Sequence, residues 1–177
     1  GNEATAVTRT VTVADTIAPV IVLNGAASIS HEQGTTYTDA GASASDSVDG
    51  SVSVMTSGTV DTTIVGTYTL TYTATDASSN MATAARSVTV TDSEAPTITL
   101  IGESSINHEQ GTTYTDAGAT ASDIADGSVT VTTSGAVDTA TAGTYTLTYT
   151  ATDTAGNAAT AVTRTVIVAD TVAPIIT

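Results

Sequence analysis

The chain has 177 residues, with 18 Asp and Glu against three Arg, no Lys, and a net charge of −15. Such a chain cannot neutralise phosphates, so nucleic acid and anionic lipid are excluded as partners, while solubility and a cationic ligand are favoured. There is no Cys, hence no disulfide or thiolate metal site, and no apolar run is long enough to span a bilayer.

Self-similarity organises the rest. HEQGTTYTDAGA occurs at His31–Ala42 and at His108–Ala119, and GTYTLTYTATD at Gly66–Asp76 and at Gly143–Asp153. The offset is 77 residues, with roughly 46 of 66 aligned positions identical, which marks a tandem duplication. Residues 1–15 match Gly156–Asp170 and so read as the last strand of a preceding repeat. Two repeats follow, at 16–92 and 93–170, and 171–177 opens another.

Within the first repeat, Val20–Leu23 is a strand entered after Pro19, and Ser28–His31 reads as its short continuation. Glu32–Gly34 turns into a second strand, Thr36–Ser45, and Asp46–Gly50 turns again. Ser51–Thr56 is a third strand and Val60–Thr62 a short edge strand. Thr67–Thr75 carries the strongest alternation, with Tyr68, Leu70, Tyr72 and Ala74 on one face and Thr on the other. Ala82–Thr91 closes the repeat. Strand follows strand with short turns and no helical period, so the expected class is all-β, a tandem of sandwiches with about seven strands each. Tyr68 and Tyr145, each two residues after a Gly, are placed for a tyrosine corner, in which the hydroxyl bonds back to the connecting loop.

The acids supply the candidate sites. Asp46 and Asp49 flank the turn after the second strand, as Asp123 and Asp126 do in the second repeat, and Asp76 and Asp153 follow the long strand. In a sandwich of this topology both turns lie at the domain's N-terminal end, where the linker acids Asp15, or Asp92 with Glu94, also enter. Four or five hard oxygen ligands at each junction suit Ca2+, which would stiffen a rod of repeats; the competing reading is Asp as an ordinary turn residue. Glu32 and Asp61 sit at the opposite end, toward the next linker.

His31 and His108 lack a second His at ligand spacing and read as turn-edge residues. No Gly-x-Ser-x-Gly elbow occurs, and duplication in such small units argues against an active site. The outward Thr ladders, Thr67–Thr75 and Thr144–Thr152, offer a recognition face for ice or sugar, against a reading as plain β-propensity.

The opening Asp-x-x-Ala-Pro, the repeated GTTYTDAGA and GTYTLTYTATD, and the Gly-Asn followed by Arg and a last strand resemble the bacterial immunoglobulin-like domains related to hyalin repeats. Ser78-Ser79-Asn80 departs from the Ala155-Gly156-Asn157 of the second repeat. The resemblance implies an immunoglobulin-like sandwich in an extracellular or cell-surface bacterial protein of adhesin type, where such modules space or present other domains. The expected function is therefore a non-catalytic spacer, with neighbouring repeats as its partners and carbohydrate or another cell surface met through other domains. Two alternatives stay open. One is a carbohydrate- or surface-binding accessory module. The other is a self-associating filament subunit built by strand complementation.

Overall fold

The computed structural model describes residues 1–175, so the last two residues of the proposed following repeat, 171–177, lie outside it. Residues 1–19 form no regular strand, although Pro19 is buried. Fourteen strands follow and there is no helix among the described residues.

In the first repeat these are β1 (Val20–Leu23), β2 (Ser28–Glu32), β3 (Ala42–Asp46), β4 (Gly50–Val52), β5 (Val54–Ser57), β6 (Gly66–Thr75) and β7 (Met81–Thr91). The second repeats them as β8 (Thr97–Leu100), β9 (Ser105–Glu109), β10 (Ala119–Asp123), β11 (Gly127–Val129), β12 (Val131–Ser134), β13 (Gly143–Ala151) and β14 (Val162–Ala169). Each repeat has a three-stranded sheet, β1-β3-β4 or β8-β10-β11, and a four-stranded sheet, β2-β7-β6-β5 or β9-β14-β13-β12. These are two immunoglobulin-like sandwiches of seven strands.

By compactness the chain divides into two units. One holds Gly1–Ser30, Tyr37–Asp61 and Gly66–Thr89; the other holds His31–Thr36, Thr62–Val65 and the chain from Val90 onward.

Four strand readings need correction. Ser28–Glu32 does not continue β1 but crosses to the other sheet after a bend at Gly25, whose φ is +94°. The second strand begins only at Ala42, because Asp39 leaves the extended path to bond the Gly41 N–H, and Gly41 has φ +75°. The third strand splits at Ser53, β4 staying in one sheet and β5 joining the other. Residues 60–62 form no strand.

Alternation on β6 does what its pattern requires. Leu70, Tyr72 and Ala74 are buried with Ala44, Val88 and Val90, and Leu147, Tyr149 and Ala151 are buried with Ala121, Val166 and Val168. The apolar core is small, so polar interior contacts carry a larger share of the fold's specificity.

Candidate functional site

Each sandwich encloses one arginine. Arg86 on β7 and Arg164 on β14 are fully buried, on the same inward parity as Val88 and Val90 or Val166 and Val168. Arg86 pairs with Asp39. Its Nε donates to the Ala26 carbonyl at 3.0 Å, and its second terminal nitrogen donates to the carbonyls of Asn24 at 2.7 Å and Gly41 at 3.3 Å. The guanidinium carbon lies 5.5 Å from the Tyr72 ring centroid. Tyr72 donates its hydroxyl to Asp39 at 2.8 Å, Tyr37 donates to it at 3.2 Å, and the Gly41 N–H at 2.9 Å. The second repeat rebuilds the set with Arg164, Asp116, Tyr149, Tyr114 and the carbonyls of Ile101, Glu103 and Gly118.

The pair is satisfied on every side, which is the condition under which a buried ion pair is tolerable. Burial opposes ionisation of Asp39, but the hydrogen bonds from Tyr72 and Arg86 outweigh it and hold the carboxyl below its usual range. Burial, then the Asp39 bond and charge, pushes the Tyr72 hydroxyl up to about 12, and Tyr149 likewise to about 12. This network is structural, and sequence reading missed it. Its signal was present: all three cations in the chain, Arg9, Arg86 and Arg164, recur at matched positions, in phase with the valines that follow them.

The second polar feature is the set of acids. Carboxylate oxygens of Asp15, Asp49 and Asp76 lie within 4.8 Å of one another, and so do those of Asp92, Asp123 and Asp153. Each group joins the acid preceding a repeat to two turns of that repeat. Asp76 is buried and accepts the Asn80 N–H at 2.7 Å and the Asn80 side-chain amide at 2.8 Å; Asp153 is bonded likewise by Asn157. The same Asn80 amide reaches the Asp15 carbonyl at 3.3 Å. Asp46 is 9 % exposed. One of its oxygens caps the turn through the N–H groups of Val48 and Asp49, which hold its carboxyl below the usual range. The other oxygen of Asp46, and one oxygen of Asp15, are buried with no hydrogen-bond partner. Asp92 is held above the usual carboxylate range by burial and then by the charges of Asp153 and Asp123.

Among the described residues the salt bridges are Arg86 with Asp39 and Arg164 with Asp116, and none reaches these clustered acids. Oxygen-only ligands in this number are the chemistry of Ca2+ rather than of zinc or copper. Three sequence candidates stay outside the clusters: Asp46, which caps its own turn, Glu94 and Asp126. Glu94 is exposed, and its N–H faces Glu32 at 3.4 Å. Asp126 is taken by Thr154, whose N–H and hydroxyl both donate to it, at 2.7 and 2.8 Å.

At the far end of each repeat a glutamate holds the outgoing chain. Glu32 accepts from the N–H of Ser93 at 3.0 Å and from its hydroxyl at 2.5 Å, and Glu109 binds Thr171 in the same way. His31 and His108 lie against Thr35 and Thr112, four residues on in the turn, at 3.1 Å. The Tyr145 hydroxyl donates to the Thr141 carbonyl at 2.8 Å, bridging back into the preceding loop.

Solved structures give similar chains. A lipoprotein of Bacteroides thetaiotaomicron is 34 % identical over 45 % of this chain and 40 % of its own, with a TM-score of 0.39. The M60 catalytic domain with two CBM51 domains of Clostridium perfringens ZmpB is 13 % identical over 86 % of this chain and 31 % of its own, with a TM-score of 0.52, a likeness of fold alone. The fibronectin(III)-like modules of Clostridium thermocellum CbhA are 20 % identical over 85 % of this chain and 95 % of their own, with a TM-score of 0.37. The chain thus spans less than half the length of the first two. No curated protein matches. The description of the bacterial surface protein Ig-like domain matches residues 21–90 and again residues 98–168, and the chain belongs to that family, with two domains in tandem.

Proposed function

We propose that this chain is a non-catalytic spacer of an extracellular, adhesin-type bacterial surface protein, in which Ca2+ fastens the segment entering each sandwich to that sandwich. One observation carries the reading: a linker acid and two turn acids converge in both repeats, and Asp15 contributes a buried oxygen with no donor. A buried carboxylate oxygen without a partner is costly, and a bound cation removes that cost. The interior arginine network supports the non-catalytic half of the reading, because it spends the reactive-looking side chains on holding two sheets together.

The test is a thermal melt of the chain in CaCl2 and in chelator, with small-angle scattering under both conditions. A melting temperature that rises in CaCl2, with a better-ordered particle, supports the reading. Identical melts and identical scattering remove calcium from it and leave a spacer with acidic turns.

A further inference from the structure

Residues 1–15 carry the sequence of a strand but pair with no sheet. They differ from residues 156–170 only at Glu3 against Ala158 and at Thr12 against Ile167. In the second repeat that sequence forms β14, antiparallel to β13 on one side and parallel to β9 on the other. There Arg164 and Val166 are fully buried and Val168 is 2 % exposed. Alternation would put their counterparts Arg9, Val11 and Val13 on one face of a strand. Instead Arg9 is exposed, and Val11 and Val13 are 72 % and 93 % exposed. Burial of those valines is a driving force that the segment does not yet use.

Three of its side chains name what is missing. Asn157, leading into the closing strand, donates its N–H and its side-chain amide to Asp153, four residues earlier, at 2.7 and 2.9 Å. Arg164 pairs with Asp116, which also accepts the hydroxyls of Tyr149 and Tyr114. Thr171, just past the strand, gives its N–H and its hydroxyl to Glu109. The first repeat makes the same three contacts with Asn80, Arg86 and Ser93. The matching residues ahead of it are Asn2, Arg9 and Thr16, and among the described residues no carboxylate accepts from any of them.

We infer that residues 1–15 close a further sandwich of the same kind, one that stands directly ahead of Gly1 in the chain and lacks only its last strand. Asn2 sets the direction, because the acceptor of its counterpart lies four residues earlier along the same chain. The receiving sandwich is recognised by its chemistry. It offers an Asp four residues ahead of Asn2, an interior Asp bonded by two tyrosine hydroxyls for Arg9, and a Glu ending its second strand for Thr16. It also leaves a slot between two strands, whose unpaired N–H and C=O groups the segment satisfies by strand addition. Arg9 then becomes its interior cation. This deepens the spacer reading and does not depend on calcium.

The test joins residues 93–155, the second repeat without its closing strand, directly ahead of Gly1, so that Ala155 again precedes a Gly-Asn pair. Amide hydrogen exchange should show Val11 and Val13 as protected as Val166 and Val168. Arg9→Ala should abolish that protection and leave residues 162–169 unchanged. In the unextended chain, Ala158→Glu together with Ile167→Thr gives the closing strand the sequence of residues 1–15. Its urea midpoint should not move, since Ala158 is exposed and Ile167 is 38 % exposed. Residues 1–15 left unprotected in the extended chain overturn the inference, and so does a lowered midpoint in the double variant. A dimer of the unextended chain overturns it too, by assigning the segment to a second copy. Each of these outcomes leaves the spacer reading to its own test, the melt in CaCl2 and in chelator.

Discussion

Each repeat contains two concentrations of carboxylate that differ in everything except residue type. Asp39 sits inside the sandwich with a guanidinium, two tyrosine hydroxyls and a backbone N–H; Asp15, Asp49 and Asp76 gather at a turn end with only amide dipoles for company. Burial opposes charge at Asp39 and at Asp92 alike. At Asp39 the partners win and the carboxyl falls below its usual range, whereas at Asp92 neighbouring acids add to the penalty and the carboxyl rises. The lesson is that partners, rather than depth, decide whether an acid stabilises this fold.

The largest break in that comparison comes from removing the interior cation. Arg86→Ala or Arg164→Ala should cost about 3–5 kcal/mol in urea denaturation, because a fully buried guanidinium is lost and the mostly buried Asp39 or Asp116 loses its cation. Tyr72→Phe should cost about 1.5–3 kcal/mol, the value of a hydrogen bond to a charged group.

Titration sharpens the contrast. Tyr72 and Tyr149 have folded values near 12 against an ordinary 10, so their stabilisation is full below the ordinary value and disappears as pH climbs through the folded one. Asp39 runs the other way: its contribution is present above the unfolded carboxyl range and is lost as pH falls through its lowered value. Melting temperature followed from acid to alkali should therefore fall at both extremes, and Tyr72→Phe should soften the alkaline fall.

Smaller effects come from the turn end. Ser79 has φ +72° where the second repeat has Gly156 at +96°. Ser79→Gly should stabilise the chain by about 1 kcal/mol, read as a shift in urea midpoint. Asp92→Asn should raise the melting temperature slightly in chelator and reduce the rise produced by CaCl2; a fall in chelator would show that the Asp92 charge is already compensated.

Much of this was legible from residues. The alternation of Tyr68, Leu70, Tyr72 and Ala74 gave the central strand and its inward face, and repetition gave the two sandwiches. Of the nine acids that turn positions and the expected topology singled out, six gather in two clusters, while Asp46, Glu94 and Asp126 do not. Sheet switching at Ser53 and after Leu23 was not legible, because both strands of each switch carry similar β-prone residues and only the bend distinguishes them. Asp39 was hidden inside the GTTYTDAGA motif, where an acid beside a glycine reads as a turn residue.

In the second repeat β9 pairs in parallel with β14, from Ser105 opposite Thr165 to Glu109 opposite Ala169. The early strand and the final strand therefore point the same way while the chain approaches one and departs from the other at opposite ends. Tension drawn along the chain would strain this whole ladder in shear at once rather than unzip it bond by bond. A sandwich wired this way is suited to resisting a pull along its length.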